Sequence, residues 1–377
     1  MFERAQAAFD SGVGSGHIDS KYRPDGTKIG PGEESAMHQV SRRAVLAGIA
    51  GSLAAPALAQ APVKTSIGVL RLASSGPVFV AAERGYWREL GLDVELKYFT
   101  AAQQVPVAVT SGDAEFGVTG LTAAFYNLAG RGALKLIAAQ SRDEKGYPLT
   151  AYMATTAAHE RGLRTLKDYA GKRVGITTTG STFHYMLGLI AKKHGFDLNS
   201  VTLVPLQTLP NMQAAFKGGQ IDGILAPVTL ARALEADGSG KILAWAGDET
   251  PWQLGALFTS PRAIDTRRST VERFVAGYVR GAADFHQAFN LRDAAGKQVY
   301  GTNYAETLSL VARAVQQPTD LVAQGLPYID PQGRLDVGDI YNQVAFWQQT
   351  NLVAREVNAR DVIDLSFVRG HMNVPRA

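Results

Sequence analysis

From residue 64 onward the apolar positions switch between two periods. Residues 65–72 (TSIGVLRL) form a short apolar run with the length and β-branched content of a strand. Residues 76–90 (GPVFVAAERGYWREL) change to the three-and-four spacing of a helix with one apolar face. The alternation continues through LDVELKYF, AAQQVPVAVTSG, AEFGVTG, TAAFYNLAGRG and ALKLIAAQ, ending at residue 140. Residues 172–246 repeat the order, from KRVGITT and STFHYMLGLIAKKHG to VTLARALEADG and KILAWA. Strands that alternate with helices predict an α/β fold in which each sheet is mostly parallel and covered by helices on both faces.

The two runs share one offset. Gly68 in IGVL matches Gly175 in VGIT, 107 positions on, and Gly112 matches Gly219 at the same spacing. Glu115 then falls on Asp222, Gly120 on Pro227 and Thr122 on Thr229. Landmarks that recur at one spacing predict two lobes of similar build. YPLTAYMATT (147–156) and PWQLGALFTS (251–260) are short, extended and apolar, and read as two strands crossing between the lobes. Residues 261–365 are mostly helical by period and are expected to complete the first lobe. The expected division is a leader at 1–59, lobe one at 60–150 with 258–377, and lobe two at 151–257.

The leader is the most specific local pattern. SRRAVLAGIAGSLAAPALAQA (41–61) sets Arg42-Arg43 before an Ala- and Gly-rich apolar run that ends in small residues at Ala57-Leu58-Ala59. Ser-Arg-Arg-x-x-Leu is similar to a twin-arginine export signal, and the run is short for a membrane span. Met37 is the expected start, cleavage is expected after Ala59, and a soluble periplasmic protein is expected.

Composition removes several classes. There are no cysteines, which excludes disulfides, thiol catalysis and cysteine–zinc sites. The seven histidines show no metal-ligand spacing, and neither G-x-S-x-G nor a P-loop occurs. The net charge of +4 is spread rather than clustered, so no nucleic-acid partner is expected. No metal, cofactor or catalytic residue is expected.

Three motifs in order carry a family resemblance. GPVFVAAERGYWRELGLDVEL (76–96), SGDAEFGVTGLTA (111–123) and GSTFHYMLGLIAKKHG (180–195) resemble segments of the nitrate/taurine/alkanesulfonate and thiamine-precursor binding proteins of ABC transporters. The resemblance covers residues 64–290. It implies the two-lobe periplasmic-binding-protein (type II) fold with two hinge crossings, a monomer, a small-molecule ligand such as an organic sulfonate, taurine or nitrate, and a membrane permease as partner. Gly120-Leu121-Thr122 stands where many relatives have proline, and Phe183 replaces a smaller residue.

In open α/β sheets, ligands bind beyond the C-terminal ends of the strands, at the helix N-termini that follow. Four loops meet that description: Ser74-Ser75-Gly76, Gly120-Leu121-Thr122, Thr179-Gly180-Ser181-Thr182-Phe183, and Ala226-Pro227. Each hydroxyl has two readings, as a helix cap or as a ligand donor. His184 either reaches the ligand or orients its loop, and Trp252 either stacks on the ligand or fills the junction between lobes. Arg142 either pairs with an anion or is solvated, while Tyr86 and Trp87 are expected in the core. A solute binder is the first reading. A binder of a heteroaromatic, such as a thiamine or flavin precursor, is the second, and an enzyme on the same two-lobe fold is the third. The export signal and the lack of cysteine speak against the enzyme.

Overall fold

A computed structural model describes residues 61–373, so the expected leader with Arg42 and Arg43 lies outside the described residues. Ala61–Ala377 form one compact unit. Its first sheet holds β1 (Val63–Leu70), β2 (Leu92–Phe99), β3 (Phe116–Gly120) and β4 (Lys135–Ala139). After a two-residue strand, β5 (Arg142–Asp143), the chain enters a second sheet. That sheet holds β6 (Thr150–Thr155), β7 (Arg173–Ile176), β8 (Thr202–Pro205), β9 (Gly223–Pro227) and β10 (Gly240–Trp245). It returns through β11 (Trp252–Gln253) and β12 (Gly255–Thr259). The strand orders are β2-β1-β3-β12-β4 and β8-β7-β9-β6-β10, the same arrangement twice.

The repeat extends to register. Ile67 pairs with Phe116 and Gly68 with Gly117 between β1 and β3. Val174 pairs with Gly223 and Gly175 with Ile224 between β7 and β9, so every partner is displaced by the same offset. Gly68 opposite Lys97 becomes Gly175 opposite Val204. The acids obey it too: Glu115 N–H donates to the Ser66 carbonyl, and Asp222 N–H to the Arg173 carbonyl. Three helices of eight residues or more follow the strands in each half of the repeat. They are α1 (Gly76–Glu83), α2 (Gln104–Ser111) and α3 (Ala123–Gly130), then α4 (Thr182–His194), α5 (Leu209–Lys217) and α6 (Val228–Ala236).

The crossings do more than join the lobes. β12 lies antiparallel between β3 and β4, and β6 lies antiparallel between β9 and β10. Every residue of both strands is buried. Each lobe is therefore closed by a strand that has just arrived from the other lobe, which forces that strand to run against its neighbours. The return joins the first sheet at Gly255, ahead of the expected boundary at 258.

The C-terminal helices divide their work. α7 (Pro261–Phe289) and α8 (Tyr304–Val315) pack on α1 and extend the core of lobe one. α9 (Val337–Gln349) departs from the expectation that this whole region completes lobe one. It lies on α3 of lobe one and on α4 of lobe two. Tyr126 of α3 donates its hydroxyl to Gln343 Oε1 at 2.9 Å. Phe346 packs edge-on to His184 and Tyr185, and Trp347 edge-on to His184 and tilted against Tyr185. Gly188 makes room for them: a Cβ there would lie 2.2 Å from the Phe346 ring. Among the described residues no helix is long and apolar enough to cross a membrane.

Candidate functional site

The C-terminal ends of the parallel strands in both sheets converge on one cleft, with about 1050 Å³ of empty space counting its open mouth. Leu70 ends β1 and residues 71–75 follow it, Thr119 and Gly120 end β3, and Gln140 follows β4. From lobe two come Thr177 after β7, Thr182 and Phe183 at the start of α4, and Pro227, Val228 and Thr229 at the start of α6. Leu149, Thr150 and Leu254 line it from the crossings. The geometry follows from the fold: parallel strands present their C-terminal ends on one side, and the two crossings hold those sides face to face.

Six of the residues expected from the sequence line this cleft: Ser74, Ser75, Gly120, Thr182, Phe183 and Pro227. The others do not, each for a local reason. Gly76 is packed against Phe285, where a Cβ would meet the ring at 2.3 Å. Leu121 is fully buried and its N–H donates to the Leu254 carbonyl. Thr122 caps α3, accepting the Phe125 N–H at 3.2 Å. Thr179 is exposed. Ala226 is a buried β9 residue paired with Ala151.

Gly180 has a left-handed φ of 83°, and its carbonyl accepts the Ala123 N–H across the lobes at 2.9 Å. A Cβ on Gly180 would lie 2.9 Å from the Ala123 Cβ, so this turn meets the opposite lobe rather than the cleft. Ser181 occupies the N-cap of α4 without capping it, and its buried hydroxyl has no hydrogen-bond partner among the described residues. His184 orients the loop: its Nδ1 accepts the Gly180 N–H at 3.2 Å, and burial pushes its pKa down to about 4. Trp252 is wholly buried between the lobes, 5.1 Å from the Tyr185 ring, and donates to Asp143. Arg142 is held by Asp336 at 2.6 Å and Glu144 at 3.3 Å, away from the cleft.

Of the lining residues not expected from the sequence, two stand out chemically. Arg71 is the one charged side chain in the wall among the described residues. Its Nη1 donates to the Ala314 carbonyl at 2.7 Å, and its guanidinium sits 3.6 Å from the centre of the Tyr98 ring. That stacking holds the planar group in place, with one N–H committed to the Ala314 carbonyl. Gln140 is 2% exposed, its Nε2 is 3.4 Å from Ser75 Oγ, and its Oε1 has no partner among the described residues. Both follow from the same strand-end rule, applied one residue past β1 and one past β4. The wall as a whole offers one fixed cation, many hydroxyls, two amides and a broad apolar floor, the donor set of a site for a small, largely apolar molecule with a polar or anionic head.

Comparison with known proteins places this arrangement. The alkanesulfonate-binding protein SsuA from Xanthomonas axonopodis pv. citri, bound to MOPS, superposes with a TM-score of 0.65 at 20% identity, over 81% of this chain and 99% of that one. The ligand-binding component of an ABC-type import system from Staphylococcus aureus gives 0.62 at 16%, over 81% and 97%. At such identities the likeness is one of fold, the two-lobe periplasmic-binding-protein fold. A curated relative from Brucella abortus (strain 2308), whose name specifies a binding protein and no ligand, is 28% identical over 151 residues, 40% of this chain and 43% of its own length. The chain thus spans under half the length of the curated relatives it matches. The sequence model of one family, described as NMT1/THI5 like, matches residues 73–288, more than half of the 377 residues, and the chain belongs to that family.

Proposed function

We propose that this is an exported solute-binding protein that holds a small organic anion between its lobes and delivers it to an ABC importer, acting as a binder and not as an enzyme. The cleft carries the reading. Arg71 stands at the end of β1 with Ser74 and Ser75 beside it, and Thr177 and Thr182 come from the other lobe. A fixed guanidinium with hydroxyl donors suits a sulfonate, carboxylate or nitrate head, and the apolar floor suits a short alkyl tail. Delivery to an importer is supported by the fold shared with an import-system component. Export to the periplasm is supported by Arg42-Arg43 and the apolar run after them.

A thermal-shift panel of alkanesulfonates, taurine, nitrate and carboxylates tests the reading. A bound solute at one hundred times its Kd adds about 2.7 kcal/mol of stability, a readily measured rise in Tm. A panel with no shift for any anion would sink it. Phe183 in the cleft wall favours a second reading, a flat heteroaromatic such as a thiamine or flavin precursor stacked on that ring. Pyrimidines in the same panel separate the two.

A further inference from the structure

The lobes touch directly within the cleft wall. Val228 opens α6 on lobe two, and Gly325 follows the helical turn Thr319–Ala323 on lobe one. Both are buried, and both line the cleft. A Cβ placed on Gly325 would lie 1.7 Å from Val228 Cγ1 and 2.5 Å from its Cβ and Cγ2. Gly325 is not among the glycines with positive φ, so space, not backbone conformation, demands glycine there. Two other glycine contacts between the lobes are looser: a Cβ on Gly120 would lie 2.8 Å from Thr182 Cγ2, and one on Gly180 would lie 2.9 Å from the Ala123 Cβ.

We propose that Gly325 is a positioning residue for solute capture: it leaves the socket into which the Val228 side chain seats when the lobes come together. The inference rests on the solute-binding reading above. Any side chain at 325 occupies the volume that Val228 now fills, and packed interfaces yield by separating rather than by compressing. The lobes then stay apart, and a solute gripped from both sides is held from one.

Small-angle scattering on the ligand-free full-length mature protein reads closure without any ligand. Gly325→Val should have a larger radius of gyration than the wild type, and adding Val228→Ala should restore the wild-type radius by emptying the socket from the other side. In millimolar MOPS, Gly325→Val should bind about tenfold more weakly than wild type, the penalty of a closed state made correspondingly rarer, and the double variant should recover. If Gly325→Val does not fold, Val228→Phe probes the same contact from lobe two with the same expected expansion. Equal radii for wild type and Gly325→Val, or no recovery with Val228→Ala, would overturn the inference. Failure of MOPS to bind the wild type would count against the sulfonate reading alone, since the radii are measured without it.

Discussion

Trp252 donates its indole N–H to Asp143 Oδ2 at 2.9 Å, joining the two segments that cross between the lobes. Asp143 is fully buried, and burial pushes its pKa up to about 7 although the Trp252 and Thr150 hydrogen bonds pull the other way. The pair also sets the crossing geometry, since β5 and β11 are only two residues each and share few backbone hydrogen bonds. Trp252→Phe keeps most of the packing and removes the donor. The expected cost is about 1–3 kcal/mol, the range for leaving a buried acceptor short of a partner. Denaturant unfolding measures it, and an unchanged midpoint would show that the hydrogen bond contributes nothing net.

Two buried groups give opposite pH signatures. His184 titrates near 4 in the fold, below its ordinary 6.5, so below about pH 6.5 the unfolded chain takes up a proton that the folded chain refuses. Its contribution falls as the solution is acidified from 6.5 toward 4. Asp339 is raised from 3.8 to about 6, chiefly by burial, so its folded form holds a proton that the unfolded chain has lost, and its contribution falls as pH rises from 4 to 6. The stability of His184→Gln relative to wild type should therefore improve on acidification. That of Asp339→Asn should improve as pH rises to about 6 and then level off. Urea midpoints measured across that range for the three proteins check both signs.

Arg71 is the cation of the cleft, so its removal should separate anionic from neutral ligands. Arg71→Ala is expected to weaken an anionic solute by about 1.5–3 kcal/mol, or roughly ten- to a hundredfold in Kd. Arg71→Lys should recover only part of this, since an ammonium lacks the planar fork that stacks on Tyr98. Calorimetry with the solute selected by the thermal-shift panel measures the series. Equal affinities for all three proteins would remove Arg71 from the site.

The two-lobe α/β build was readable because its signals are periodic and repeated: one offset relates strands, helices and even pairing register. What the sequence hid was of another kind. The antiparallel placement of β6 and β12 depends on which sheet a crossing strand joins, and no local pattern encodes that. α9 shows an ordinary amphipathic period, and nothing in it announces that its two faces belong to different lobes. At the cleft, the strand-end rule pointed to loops that line it but not to which of their side chains do. Thr122 and Ser74 look alike in sequence, yet one caps a helix and the other lines the cleft. Arg71 escaped notice because one arginine after a strand carries no pattern of its own.

Ser181 and Thr122 offer the sharpest contrast between hydroxyls that occupy equivalent cap positions. Thr122 Oγ1 accepts the Phe125 N–H, so Thr122→Ala should cost about 0.5–2 kcal/mol. The Ser181 hydroxyl is buried with no partner, and a buried hydroxyl in that condition carries a desolvation penalty of about 1–3 kcal/mol. Ser181→Ala removes the penalty with the group, so it should leave stability unchanged or raise it, while α4 keeps the His184 contact that fixes its leading turn. Ser181 also lies outside the cleft wall, so solute affinity should not move. Unfolding curves and calorimetry on both variants decide. A loss of stability in Ser181→Ala equal to that in Thr122→Ala would make Ser181 a cap, and a loss of affinity at unchanged stability would turn its hydroxyl toward the ligand.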